Sequence, residues 1–256
     1  MDTEAKPSER DRSSAPATAP EEGSRSSRIP DRRPLSMSWR RTAALGAVCA
    51  VFVLLLSNYV VQPFLIPSGS MEPTLQVGDR VLVNKLAYRS GAVPHRGDVV
   101  VFDGTGSFVQ EPPRENPVTG LVHSVAASLG LAEPAGTDYV KRVVGVGGDR
   151  VVCCDKRGRI EVNGRPVVEG YLYPGDEPSL ARFDIVVPDG TLWMMGDHRS
   201  NSRDSRDHLG EPGGGMVPVD RVIGRVDWIG WPPSRLRSLP DSTAFAAVGA
   251  PGGGRG

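Results

Sequence analysis

The chain has no net charge. Its 30 Lys and Arg residues balance 30 Asp and Glu residues across 256 positions. No global field therefore favours nucleic acid, and no stretch interleaves basic with aromatic residues as a nucleic-acid groove does. Cysteine is scarce: Cys49, Cys153 and Cys154 are the only three, which excludes a disulfide framework. Cys153 and Cys154 are direct neighbours. Side chains alternate along a strand and a bond between neighbours is strained, so two free or separately buried thiols are expected. Only four histidines occur, with neither an HExxH nor a paired-cysteine spacing, so no metal and no other cofactor is expected. Long helical patterns are few, whereas glycine (31) and proline (23) are plentiful. Together these favour short strands joined by turns.

The hydrophobic run that stands out is Thr42 to Val61, uncharged and mostly Ala, Val and Leu. As a helix its length is about 30 Å, the thickness of the hydrocarbon core. It lacks the polar face of a buried soluble helix. Arginines precede it, among them Arg40 and Arg41, which predicts a cytoplasmic N-terminus and an external remainder. Residues 1–41, rich in Ser, Pro, Ala, Arg and Glu, are expected to be a disordered cytoplasmic tail. An uncleaved signal-anchor is the favoured reading. A cleaved signal would need a small-x-small site, and Ser68–Gly69–Ser70 offers one at some distance.

Just beyond the run lies Pro67–Ser68–Gly69–Ser70–Met71–Glu72–Pro73–Thr74–Leu75. Two prolines stiffen a loop that carries two hydroxyls. It is either an ordinary turn or a rigid mount for one hydroxyl. Strand-like runs follow at Val81–Leu82–Val83 and Val99 to Phe102, each after a Gly–Asp pair. Lys141 sits in a third apolar run, Tyr139 to Val146. A lysine there either snorkels from a sheet edge or is buried, and burial lowers its pKa so that the neutral amine can accept a proton from a serine. After a further apolar strand, Gly196 to His208 is crowded with Asp, Arg, Ser and His. It is a solvated loop, a metal site or a support for a neighbouring base.

The rest divides readily. Residues 62–231 form one external domain, with an insertion over 104–138 that includes a short helix from Val118 to Leu131. A small β subdomain spans about 151–190, with an Asn163–Gly164 hairpin turn. The last strand is Val222 to Trp228, where Trp228 and Trp231 suit either the core edge or a membrane interface. Residues 232–256 read as a flexible Pro/Gly-rich tail.

Four blocks, Pro67 to Leu75, Gly78 to Lys85, Lys141 to Asp149 and Gly196 to Arg206, stand in this order behind an N-terminal anchor. In this the chain resembles the bacterial type I signal peptidases (leader peptidases) over roughly Val60 to Trp231. The resemblance implies a mainly β fold, in which a transmembrane helix leads into an external antiparallel β catalytic core with a small inserted β subdomain. It implies a monomer in the bacterial cell membrane, crossing once, that meets membrane lipid and cuts secretory preproteins after an Ala-x-Ala-type site. It implies Ser70 as nucleophile and Lys141 as general base, with an oxyanion hole from the Ser70 N–H and the Ser68 hydroxyl. Ser202 would hydrogen-bond the lysine, and Asp204, Arg206 and Arg142 would brace the site. Phe64, Ile66, Met71, Leu75, Val81, Tyr139 and Val140 match substrate-pocket positions. Two departures are His198, where the family usually has Asn, and Ser200, where it usually has Asp. Neither position is catalytic in the family, and His198 in its charged segment is not expected to be the base. Rival readings are a self-cleaving repressor-like protease with the same Ser/Lys core and a non-enzymatic membrane-anchored β-domain. The anchor, and the absence of a DNA-binding helix pair before it, weigh against the first. The pairing of Ser70 in a stiff loop with Lys141 in an apolar strand weighs against the second.

Overall fold

The computed structural model describes residues 39–109 and 136–251. Most of the expected tail, most of the insertion with its helix at Val118 to Leu131, and the last five residues lie outside the described residues. One compact unit runs from Ala43 onward; a second, ending at Thr42, is described only over Trp39–Thr42. Helix α1 spans Trp39–Tyr59 and is, among the described residues, the one helix long and apolar enough to cross a membrane. It starts three residues earlier and ends two residues sooner than the apolar run. The early stop follows from pairing: Val61 already belongs to strand β1.

Among the described residues, twelve strands follow. They are β1 (Val61–Leu65), β2 (Arg80–Asn84), β3 (Val99–Asp103), β4 (Asp138–Val146), β5 (Arg150–Cys153), β6 (Ile160–Val162), β7 (Arg165–Pro166), β8 (Phe183–Val186), β9 (Thr191–Met195), β10 (Val217–Pro218), β11 (Val222–Trp231) and β12 (Arg237–Ser238). The large sheet has the order β1-β2-β11-β3-β4-β9-β10, with β12 on β11, and every pairing is antiparallel. The small sheet has the order β7-β6-β5-β8. Its Asn163–Gly164 turn has φ of 53° and 72° at the two positions, the conformation a two-residue hairpin demands and Asn-Gly tolerates. The fold is thus mainly β. The two sheets share one core: Val144, Trp193 and Met195 of the large sheet pack with Val151, Ile160, Val162 and Phe183 of the small one.

Two expectations need correction here. Cys153 and Cys154 are joined as a disulfide. The peptide between them is cis, and Cys154 lies just past the end of β5, where the alternation of a strand no longer applies. Residues 232–251 do not read as a free tail. β12 pairs with β11, Arg235 binds Asp79 at 2.8 Å, the Leu239 N–H donates to the Asp227 carbonyl at 2.8 Å, and Phe245 enters the shared core. The Pro/Gly-rich composition hid these anchors, each a single residue with a fitting partner. Trp228 and Trp231 are about half exposed, which suits either of the two uses the sequence leaves open for them.

Candidate active site

Ser70 lies in a single 3₁₀ turn, Gly69–Met71, between β1 and β2. The turn cannot drift, because its base is closed by two backbone bonds, Ile66 N–H to Asp79 O (2.8 Å) and Gly78 N–H to Ile66 O (2.9 Å). Behind it Met71 and Leu75 are fully buried, and the Leu75 N–H donates to Met71 O. Apolar burial on one side therefore sets where the Ser70 hydroxyl points on the other. That hydroxyl is 2.7 Å from Lys141 Nζ and 3.5 Å from the Ser68 hydroxyl.

Lys141 occupies the middle of β4, between β3 and β9, and is 4% exposed. Burial pushes its ammonium pKa down to about 8, and the charges of Asp204 and Asp197 only partly oppose this. Asp204 is fully buried. Burial alone would raise its pKa. The Arg206 guanidinium (2.8 Å), the Gly196 N–H (2.9 Å) and the Ser202 hydroxyl (2.9 Å) outweigh burial and hold the carboxyl below its ordinary value. Arg206 also donates to the Arg199 carbonyl at 2.9 Å. Gly196 must lack a side chain, since a Cβ there would overlap Ser202 and stand 2.6 Å from the Ser70 carbonyl oxygen.

Arg142 faces a different set of partners. Its guanidinium binds Asp197 through two bonds (2.7 and 2.6 Å), donates to the Gly97 carbonyl at 2.7 Å, and lies 4.0 Å above the Tyr171 ring. The Thr74 hydroxyl donates to the same Asp197 carboxylate. Asp197 therefore ties the serine turn, β4 and the loop after β9 together. The sequence reading did not single out Asp197 or Thr74. The available signal was a Gly–Asp pair beside a buried strand, a pattern that also yields the buried Asp79 and Asp149. Also missed was the buried pair Arg199–Glu169, which carries the Tyr171 hydroxyl and joins this loop to the segment after β7.

The structure thus brings together Ser68, Ser70 and Lys141, with Ser202, Asp204, Arg206 and Arg142 around them. Among the described residues the Ser202 hydroxyl bonds to Asp204, whereas the hydrogen bond of Lys141 goes to Ser70. Phe64, Ile66, Met71, Leu75 and Val81 gather in one buried cluster, and Val140 packs against it. Tyr139 is not part of that cluster. It stacks on Phe102 at 5.9 Å and meets Phe108 edge-on at 5.3 Å. Ser200 bonds outward to Asp176 at 2.7 Å. No group of three His, Cys, Asp or Glu suited to a metal ion occurs among the described residues.

A hydroxyl held against a buried amine of lowered pKa is chemistry open to a hydrolase that works through a covalent acyl intermediate. The sequence matches the family described as "Signal peptidase, peptidase S26" over residues 39–231, and the chain belongs to that family. It is 39% identical over 244 residues to a protein named Signal peptidase I from Mycobacterium tuberculosis, covering 86% of this chain and 82% of that one. A protein named Probable signal peptidase I from Mycobacterium leprae is 37% identical, with 75% and 76% covered. Signal peptidase I from Pseudomonas aeruginosa is 33% identical, with 77% and 74% covered.

Proposed function

We propose that this signal peptidase is a membrane-anchored serine endopeptidase that removes signal peptides from secretory preproteins after an Ala-x-Ala-type site. Ser70 is its nucleophile and Lys141 its base. The observation that carries this reading is the 2.7 Å contact between Ser70 Oγ and a buried Lys141 Nζ. Neutral Lys141 takes the hydroxyl proton as the Ser70 oxygen attacks the scissile carbonyl. The new C–O bond places negative charge on the carbonyl oxygen, where the Ser70 N–H and Ser68 hydroxyl donate to it. The lysinium then protonates the leaving amine as the peptide bond breaks. A water molecule, deprotonated by the same lysine, then attacks the acyl carbon, and as the ester C–O bond breaks the lysinium returns the proton to the Ser70 oxygen. Asp204 and Asp197 hold the site's charge in place, and the buried cluster from Phe64 to Val81 backs the turn on the side where small residues of the substrate would seat. The direct test is cleavage of a preprotein by the purified full chain in detergent. Correct cutting at an Ala-x-Ala site, lost when the last Ala is replaced by a bulky residue, supports the reading. No cutting by folded protein refutes it.

The lowered Lys141 pKa sets the pH dependence. The base works only when neutral, so kcat/KM is expected to rise about tenfold per pH unit below 8 and to level off above it. A plateau that already begins at pH 6 would show that another group is the base. Stability follows the same group. Between about 8 and 10.5 the unfolded lysine keeps a proton that the folded one has lost, so folding becomes more favourable as pH rises through that window.

Anchoring rests on α1 with Arg40 and Arg41 at its start. Protease added to intact spheroplasts is expected to remove everything beyond Val61. Protection of that domain would reverse the proposed topology.

A further inference from the structure

His198 touches the nucleophile turn in a way the reaction above does not use. Its backbone N–H donates to the Ser70 carbonyl at 3.1 Å. Its ring Nδ1 lies 3.3 Å from the Gly69 carbonyl oxygen, which also accepts the Glu72 N–H at 3.1 Å. The peptide groups on both sides of the Ser70 Cα are thereby tied to one residue. A peptide group is planar, so fixing the direction of the Gly69 C=O also fixes the direction of the Ser70 N–H, its partner in the same plane.

The ring is itself held firmly. It lies flat on Tyr173, with centroids 3.8 Å apart and planes 6° from parallel. The Tyr173 N–H donates to the Asp197 carbonyl at 3.0 Å, so the stacking partner hangs from the same loop. On another side the Glu72 carboxylate is 3.7 Å from Nδ1. Glycine at 69 leaves room for this approach, because a Cβ there would stand 3.2 Å from the Asn201 amide nitrogen and 3.3 Å from the Glu72 carboxyl carbon.

We propose that His198 is a positioning residue that aims the Ser70 backbone N–H at the developing oxyanion by gripping the carbonyl groups on both sides of it. The proposal rests on the reading of Ser70 as nucleophile and oxyanion donor. It also accounts for the departure from asparagine at this position. Nδ1 of a histidine and the amide nitrogen of an asparagine each stand two bonds beyond Cβ, so either can donate to the same carbonyl. The role requires a proton on Nδ1. A donor that orients an oxyanion contact acts in the transition state, so its loss lowers kcat rather than raising KM.

The test uses the full chain in detergent with a preprotein substrate. His198→Asn is expected to keep kcat within about threefold, and His198→Leu, similar in size but without a donor, to lower it about tenfold or more with KM unchanged. Normal turnover by folded His198→Leu, a loss confined to KM, or equal damage from both variants would overturn the proposal. A second measurement does not depend on the Leu variant folding. In protein labelled with ¹⁵N-histidine, the resonance that vanishes in His198→Asn should report a protonated Nδ1, and a bare Nδ1 would overturn the proposal as well. Lys141→Arg run alongside separates the two ideas. If it is inactive while His198→Leu is normal, only the aiming role fails. If it is active, the Ser70 mechanism fails and the aiming role with it.

Discussion

Lys141→Arg and Ser70→Ala are each expected to lower preprotein cleavage by at least about 10⁴-fold, while the variants still insert and fold. Arginine keeps the positive charge and a similar reach, so a lysine that only braced the loop would be partly replaced by it. A general base would not, because guanidinium stays protonated at any usable pH. The serine variant removes the proposed attacking atom. If the two groups act as one unit, as proposed, the double variant is expected to be no worse than either single one. Ser68→Ala is expected to be milder, about tenfold to a hundredfold, since the Ser70 N–H still donates to the oxyanion. The deciding measurement is single-turnover cleavage by folded Lys141→Arg. Near-normal turnover would end the dyad assignment whatever family the chain belongs to.

Asp197→Ala carries the largest expected loss of stability, about 3–5 kcal/mol. The carboxylate is fully buried and receives two bonds from Arg142 and one from the Thr74 hydroxyl. Removing it strands a guanidinium that is itself only 5% exposed, and an uncompensated buried charge is costly. Replacing both members, as Arg142→Met with Asp197→Leu, is expected to be less damaging than Asp197→Ala alone, since no buried charge is then left unpaired. Unfolding midpoints of the three proteins in one detergent check this. A single variant within 0.5 kcal/mol of the parent, a margin of the order typical of ordinary surface changes, would mean that the pair is structurally idle.

What the sequence made legible was what elementary physics marks as unusual. An uncharged stretch of membrane length, a hydroxyl between two prolines, and a lysine among Tyr139, Val140, Val143 and Val144 each conflict with the ordinary uses of those residues. The strand at Val81 and the Asn163–Gly164 turn could be read for similarly local reasons. Features that depend on a distant partner were hidden. Asp197 looked like one more charge in a polar loop, because only the fold brings Arg142 and Thr74 to it. Tyr139 and Val140 are adjacent in sequence, yet they belong to different clusters because strand neighbours point to opposite faces. Phe245 could not be placed from a segment whose glycines and prolines signal a loose end.

The order of strands in the large sheet also bears on the biogenesis of the enzyme. The β1–β2 hairpin, which carries the serine turn, and the β3–β4–β9 group, which carries the lysine, do not pair with each other; β11, residues 222–231, lies between them and bonds to β2 on one edge and β3 on the other. A chain that lacks that strand carries Ser70 and Lys141 on two separate pieces, with no sheet holding them in register. On the proposed reading of Ser70 and Lys141, proteolytic competence therefore arrives late, after residues 222–231 have been made, and a shorter nascent copy cannot cut its neighbours or itself.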